Sequence, residues 1–368
     1  MTTREITSTQ VLRDRLQSGR PLHGVRLQDL DLQEVAAELL KMADLSGLVV
    51  LGGIVPAIVA EHLRTAGALV FPTDPELPIN PYRSRLYDPR DLYRGLEQKG
   101  YGGTADKRAY DWLLDPQTVH DAYVTIMRAI HDDSIGDALD ERLEGKDVVG
   151  VMGGHAELRT SAAYADAARL GNSLAEGGTL VLTGGGPGAM EAASLGACLT
   201  DPSELGAALA ELTPVPSFEP DITAWARTAL AVREEYTDTA HRHRCVGVPT
   251  WFYGHEPPQV FCGGVAKFFS NALREDILLA RCNAGIIVLP GAAGTVQEIF
   301  QATTRMYYAN PETTTSIPPL ILVGAQQWTR VIPVWGLLTR LAQDRAMQRS
   351  VHLVDSTREA AQIILGTR

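Results

Sequence analysis

Three short glycine-bearing turns carry the residues best suited to hold a small anion. They are residues 153–155 (GGH), 184–188 (GGGPG) and 290–295 (PGAAGT), and each follows a short apolar run. Small residues let backbone N–H groups approach a phosphate, and a helix that starts at the turn adds unpaired N–H groups and a positive dipole. One glycine turn after a strand is commonly just tight strand-to-helix geometry, but three of them favour a binding site.

The spacing of these glycines excludes two familiar nucleotide sites. None of the turns matches G-x-x-x-x-G-K-[ST], so a Mg-nucleotide triphosphatase is not expected. The GGGPGA turn is out of phase with G-x-G-x-x-G, and no convincing ribose-binding acid follows about 20 residues later. The turns therefore predict phosphate binding of another type.

The strands and helices that would position such turns can be recognised in the sequence from residue 147 onward. Apolar runs without polar alternation, typical of strands buried on both faces of a parallel sheet, alternate with helical patterns. These runs are 148–152, 179–182, 285–289, 320–323 and 352–354. We therefore predict an α/β fold: a Rossmann-like, doubly wound parallel sheet over residues 146–368. All three turns then lie at the carboxyl ends of strands, where such sheets bind ligands.

Residues 1–145 have a less regular pattern, and we predict a mixed or mainly helical accessory region. Helical patterns occur over 30–43, 56–66 and 115–132, with a candidate strand at 48–51. Residues 72–89 (PTDPELPINPYRSRLYDP) are rich in proline and turn formers and predict a loop.

Composition limits the classes of partner. The net charge of −11 and the absence of a basic cluster argue against binding a nucleic-acid polymer. No apolar run is long enough to span a membrane, and the N-terminus does not resemble a signal peptide. Four cysteines without CxxC spacing fit a reducing compartment, so we expect a cytoplasmic protein.

The third turn extends into a family signature. PGAAGTVQE resembles the PGGxGTxxE motif of the Lonely Guy phosphoribohydrolases. Together with GGH, TGGGPGAMEAA and NPETTTSIPPLILVG, it looks closer still to bacterial pyrimidine/purine nucleotide 5′-monophosphate nucleosidases. The resemblance covers about residues 150–355. It implies hydrolysis of the N-glycosidic bond of a nucleoside 5′-monophosphate, including cytokinin-type monophosphates as a variant, without a metal or other cofactor. It also implies a homo-oligomer.

The resemblance assigns roles to individual residues. Arg274 and Glu298 match the family's catalytic arginine and glutamate, although Arg274 next to Glu275 and Asp276 also fits a solvated salt bridge. The expected phosphate-binding residues are Gly291, Ala292, Ala293, Gly294 and Thr295, with Thr295 opening the helix that carries Glu298. The expected nucleotide- and ribose-binding residues are Gly153, Gly154, His155, Gly185, Gly186, Gly188 and Met190. A non-catalytic carrier of a nucleotide-like ligand, such as the molybdenum cofactor, is the alternative.

One residue departs from the family motif. Ala292 stands where PGGxGT has its second glycine, and an alanine there is strained if the backbone needs a positive φ.

Two other groups of residues are weaker candidates. His241, His243 and Cys245 (HRHRC) have strand-like spacing for metal ligands but lack an evident fourth ligand, so no metal site is expected. Lys267 lies in no pyridoxal-phosphate motif, so we do not expect Schiff-base chemistry.

Overall fold

The computed structural model describes residues 5–253, 256–309 and 317–366. Its strands are β1 Glu5–Ile6, β2 Arg26–Gln28, β3 Val49–Leu51, β4 Leu69–Phe71, β5 Val148–Met152, β6 Leu180–Thr183, β7 Cys245–Gly247, β8 Gly285–Val288, β9 Leu320–Val323 and β10 Val351–Val354. Its α-helices are α1 Thr9–Gln17, α2 Ala36–Leu39, α3 Ala57–Thr65, α4 Pro89–Leu92, α5 Leu96–Lys99, α6 Ala105–Leu114, α7 Ala122–Leu143, α8 Ala162–Glu176, α9 Ala189–Cys198, α10 Leu205–Leu212, α11 Ile222–Tyr236, α12 Thr239–Arg242, α13 Asn271–Ala280, α14 Ala293–Tyr307, α15 Trp335–Ala342 and α16 Thr357–Gly366.

The chain divides into two compact units. One comprises Met1–Leu86 and Asp115–Ala138, and the other comprises Tyr87–Leu114 and Leu139–Arg368. We call them the N-terminal unit and the Rossmann unit. The division differs from the predicted boundary at 145/146, because Tyr87–Leu114 group with the later residues.

The N-terminal unit contains, within the described residues, a four-stranded parallel sheet in the order β1-β2-β3-β4. Each strand is only two or three residues long, and inward side chains such as Leu27 and Val50 pack with Leu12 and Leu63 in a common core. This region is therefore mixed α/β rather than mainly helical. Of its predicted helices, 56–66 corresponds to α3, and 115–132 overlaps α7, which begins later, at Ala122. The predicted helix 30–43 contains a 3-10 helix at Leu32–Val35 followed by the short α2.

The Rossmann unit contains, over the residues described, a six-stranded parallel sheet in the order β10-β9-β8-β5-β6-β7. Numbered along the chain, this is the 3-2-1-4-5-6 order of a doubly wound sheet, with the order reversing between β5 and β8. Main-chain pairing of Gly150 with Leu182 on one side and with Ile286 on the other places β5 at the centre. The predicted Rossmann-like fold is confirmed. β7 was not predicted, because its three residues follow the polar sequence HRHR.

Residues 87–114 supply a buried charge to the Rossmann unit. The Asp106 carboxylate accepts hydrogen bonds from Lys267 Nζ (2.7 Å) and from Trp251 Nε1 (2.9 Å), and both members of the ion pair are 1% exposed. A buried ion pair is costly to separate, since each charge then lacks a partner in a poorly solvated environment. Lys267 is thus a structural residue, and its Asp106 contact anchors the segment.

No helix of the described part of the chain is long and apolar enough to cross a bilayer.

Candidate functional site

The three glycine turns meet at one edge of the sheet in the Rossmann unit. They follow β5, β6 and β8, which are neighbours in the sheet. Gly154 connects them, because its N–H donates to the Pro290 carbonyl (3.0 Å) and its carbonyl accepts from Ala189 N–H (3.2 Å). The predicted turns therefore form one continuous backbone surface at the switch point, where a doubly wound sheet binds ligands.

Gly188 lets the first two turns approach closely. It precedes α9 with φ 70° and ψ −131°, a conformation that side chains rarely adopt. A β-carbon at this position would lie 2.5 Å from the Gly154 carbonyl oxygen and 2.7 Å from that of His155. Both the dihedral angles and the available space therefore require glycine.

A Gly188→Ala substitution is expected to lower the free energy of unfolding by at least about 2 kcal/mol, since strain and overpacking each cost about 1–3 kcal/mol. Gly294→Ala is the matched control, because a β-carbon there meets nothing within 4 Å. In the first turn of a helix that alanine should stabilise by up to about 1 kcal/mol. Urea titration followed by circular dichroism measures both; equal midpoints for the two variants would contradict the close packing of the turns.

The third turn presents the start of α14 to solvent. The helix begins at Ala293, two residues before the predicted start at Thr295, and Ala292 provides no side-chain cap. Val296 N–H bonds to the Ala292 carbonyl (3.0 Å), so the three preceding N–H groups have no acceptor within the helix. Uncapped N–H groups with the helix dipole suit a phosphate.

Thr295 is buried rather than placed at the helix entrance. Its side chain packs on Gly291, where a β-carbon would lie 2.1 Å from Thr295 Oγ1. Gly291 therefore makes room for the threonine, and the exposed members of the turn are Pro290, Ala292, Ala293 and Gly294.

The alanine that departs from the family motif is unstrained. Ala292 has φ −115°, in the range that side chains normally adopt, so the backbone does not need glycine there.

Arg274 and Glu298 form an ion pair beside these turns. Arg274 Nη1 lies 3.5 Å from Glu298 Oε1, and the two side chains are 10% and 13% exposed. Arg274 lies on α13, which Ser270 caps by accepting from Leu273 N–H (3.3 Å). Glu298 lies on α14, one turn after Thr295. This geometry argues against the solvated surface salt bridge.

The second turn lies next to the same arginine. A β-carbon built on Gly184 would be 3.8 Å from Arg274 Nη2 and 2.8 Å from the sulfur of Met190. The Met190 methyl group in turn lies 3.0 Å from the corresponding position on Gly186. The tertiary structure thus brings the second turn, Met190 and Arg274 together.

The environment of Glu298 favours its protonated form. Burial raises the pKa of Glu298 to about 7, and the charges of Glu275 and Glu256 add to the rise, while Arg274 opposes it. A carboxyl group with a pKa near neutrality exchanges protons readily at physiological pH.

Two carboxylates near the pair were not identified from the sequence. Glu275 is buried and accepts from Asn271 Nδ2 (2.9 Å) and from Gln297. Glu256 Oε1 lies 3.1 Å from His155 Nδ1. The position of Glu275 directly after Arg274 was a signal for the first, whereas Glu256 lies in a segment with no recognisable motif.

Glu191, in the GAME part of the second turn's motif, has a structural role. It is fully buried and binds Arg159 through Nε (3.1 Å) and Nη2 (2.5 Å). Tyr164 Oη donates to the same carboxylate (2.9 Å), and the Arg159 guanidinium lies 4.7 Å from the Trp225 ring centroid. These contacts hold the start of α9 in place.

The HRHRC residues do not converge. His241 Nδ1 lies 2.8 Å from Asp238 Oδ1, His243 contacts Arg142, and Cys245 is buried in β7. In residues 5–253, 256–309 and 317–366, no group of three or more His, Cys, Asp or Glu side chains is arranged to hold a metal ion.

A cavity of about 890 Å³ borders the same edge of the sheet, between α8 and α16. Ala189, Leu289 and Pro290 line it, but Arg274 and Glu298 do not. We therefore place the candidate chemistry at the charged pair and not in this cavity.

Comparison with known proteins finds a family match in part of the chain. Residues 146–213 match the sequence model of the SLOG cluster4 family. This segment contains the first two turns, while residues 310–316 of the late NPETTTS motif lie outside the described residues. A search of curated proteins found no match.

Two solved structures are similar to part of the chain. One is the molybdenum cofactor binding protein from Rippkaea orientalis (18% identity, 61% of this chain and 98% of that one, TM-score 0.37). Another is the molybdenum cofactor carrier protein from Chlamydomonas reinhardtii (18% identity, 61% and 99%, TM-score 0.37). The family match thus supports a LOG/SLOG-type relationship for the segment 146–213.

Proposed function

We propose that the Rossmann unit binds a nucleoside 5′-monophosphate and hydrolyses its N-glycosidic bond, releasing the free base and ribose 5-phosphate. The observation that carries the proposal is the Arg274–Glu298 pair, which adjoins the second glycine turn. Glu298 lies on α14, the helix whose start is uncapped. A carrier has no need of such a pair beside its phosphate site.

The phosphate is assigned to the start of α14. Ala293 and Gly294 are exposed there, and the helix dipole favours a negative charge. A phosphate at this position places the attached ribose within reach of a side chain one turn further along the helix, which is Glu298.

Glu298 is assigned to the chemistry at the ribose. As the C1′–N bond breaks, its electron pair moves to the base and positive charge develops on the ribose. An ionised Glu298 stabilises that charge and accepts a proton from the water that adds to C1′. Arg274 holds the carboxylate in place and favours its ionised form. The reaction needs neither a metal ion nor pyridoxal phosphate.

The proposal includes a cytoplasmic homo-oligomer, as predicted from the sequence. The four cysteines, Cys198, Cys245, Cys262 and Cys282, are free and buried, which is compatible with a reducing compartment.

Incubation with a panel of purine, pyrimidine and modified-adenine nucleoside monophosphates tests the function. Chromatography should detect base and ribose 5-phosphate in equal amounts, and dialysis against EDTA should leave the rate unchanged. Binding of a monophosphate without turnover of any panel member would contradict the enzyme and favour a carrier.

The phosphate site has its own test. Gly294→Asp is expected to raise KM for the hydrolysed monophosphate about tenfold or more, because the new carboxylate occupies open space at the helix start and repels the phosphate. Acidic residues are favourable in a first helical turn, so the fold should persist. Gly206→Asp, at an equally open glycine in the first turn of α10, is the control. Equal KM values for the two variants would place the phosphate elsewhere.

A further inference from the structure

A histidine–carboxylate pair lies at the turns, in addition to the Arg274–Glu298 pair. His155 follows the first glycine turn, and its Nδ1 is 3.1 Å from Glu256 Oε1. The imidazole is 46% exposed, while the Glu256 side chain is 21% exposed. The ring is therefore held by a carboxylate at one nitrogen and remains accessible to a ligand.

Both pairs adjoin the second turn. A β-carbon on Gly186 would lie 3.5 Å from Glu256 Oε2, and one on Gly184 would lie 3.8 Å from Arg274 Nη2. The Met190 side chain contacts both glycine positions. The charge of Glu256 also contributes to the raised pKa of Glu298. The residues 184–186 thus have an acid–imidazole pair on one side and an acid–guanidinium pair on the other.

N-glycosidic hydrolysis needs chemistry at both ends of the bond that breaks. The ribose carbon needs stabilisation of positive charge, which the proposed function assigns to Glu298. The departing base takes both electrons of the bond, and a proton donated to it makes it a much better leaving group. Nothing in the Arg274–Glu298 pair performs this second task.

We propose that His155 is the general acid that protonates the departing base, and that Glu256 is the positioning residue that orients its imidazole. The inference rests on the proposed function. The imidazolium gives its proton to a nitrogen or oxygen of the base as the C1′–N bond breaks. Water forms the new C1′–O bond and loses a proton to Glu298. Proton exchange with solvent then restores both side chains, and the products are neutral base and ribose 5-phosphate.

Glu256 acts through the imidazole. A carboxylate bonded to one ring nitrogen fixes the orientation of the ring, as in other acid–histidine pairs. Substituting Glu256 should therefore lower kcat for the same substrates as substituting His155, with little change in KM.

The test compares substrates that differ in their need for a proton. One is the best-hydrolysed monophosphate from the panel. The other is 4-nitrophenyl β-D-ribofuranoside 5-phosphate, whose leaving group departs as a stable anion. If wild type does not turn over the nitrophenyl compound, 7-methylguanosine 5′-monophosphate, whose base is already positively charged, takes its place.

His155→Asn is expected to lower kcat for the natural monophosphate about 10²-fold or more, while kcat for the activated substrate changes less than about threefold. Glu256→Gln should show the same selectivity with a smaller loss. Glu298→Gln should lower both rates, since ribose stabilisation is needed whatever leaves. His241→Asn is the matched control, because His241 forms a similar pair with Asp238 away from the turns, and it should behave as wild type.

The outcomes separate the two proposals. Equal losses on both substrates in His155→Asn, or no loss on either, would overturn the general-acid assignment while leaving the nucleosidase activity in place. A wild-type protein that hydrolyses neither the panel nor the activated substrates would overturn the proposed function, and the role of His155 with it.

Discussion

Replacing Glu298 by glutamine is expected to lower kcat for nucleoside monophosphate hydrolysis on the order of 10²-fold or more, with much less change in KM. The substitution keeps the shape of the side chain but removes the charge that stabilises the developing ribose cation. Because that charge appears only as the bond breaks, the loss falls on the chemical step and not on substrate binding. Steady-state kinetics with the best substrate of the panel measures the effect.

Arg274→Ala should cause a loss of similar kind, and the double variant should lose little more than the larger single loss. The two side chains lie 3.5 Å apart and act as a unit, and the losses caused by substituting residues that act as a unit do not add. Losses that multiply in the double variant would show that the residues act independently.

The pH profile gives an independent check on the same carboxylate. Because the pKa of Glu298 is raised to about 7 and its ionised form is the active one, kcat/KM should have an ascending limb centred near pH 7. Arg274 lowers the pKa of Glu298, so Arg274→Met should move this limb to higher pH. Near-wild-type kcat in Glu298→Gln, or an unmoved limb in Arg274→Met, would contradict the mechanism.

Removing the Glu191 carboxylate is expected to destabilise the protein by about 3–5 kcal/mol. Glu191→Ala leaves Arg159, which is 3% exposed, as a buried cation without its main partner, and it also removes the acceptor for Tyr164. The free energy of unfolding, obtained from urea titration, measures the loss.

A double variant separates charge from packing. Replacing both partners, as in Arg159→Met with Glu191→Leu, leaves no unpaired charge and should recover much of the stability lost in the single variant. Glu191 takes no part in the proposed reaction, so a folded double variant should retain turnover. A stable Glu191→Ala protein that has lost kcat would instead give Glu191 a catalytic role.

The sequence predicts the central part of the fold well because the signals there are local. Five apolar runs, each bounded by turn residues, correspond to β5, β6, β8, β9 and β10. In a parallel sheet, consecutive strands end at one edge, so the positions of the glycine turns along the chain were enough to predict that they meet. The family motif added Arg274 and Glu298, which lie 24 residues apart and form a pair in the structure.

Other features depended on contacts that no local pattern encodes. The strands of the N-terminal sheet have two or three residues each, too few to show an alternation of apolar and polar residues. They are stabilised by pairing between segments distant in sequence. Asp106 and Lys267 are 161 residues apart, and their buried ion pair is one of the contacts that link residues 87–114 to the Rossmann unit.

The same distinction applies within the site. Residue types and spacing were sufficient to predict that the three turns meet at one edge, because backbone geometry at a strand–turn–helix junction follows from a few neighbouring residues. The partner of His155, the burial that raises the pKa of Glu298, and the structural role of Glu191 were decided only by the tertiary structure. Desolvation and charge pairing depend on which distant segments pack around a side chain, so local sequence does not determine them.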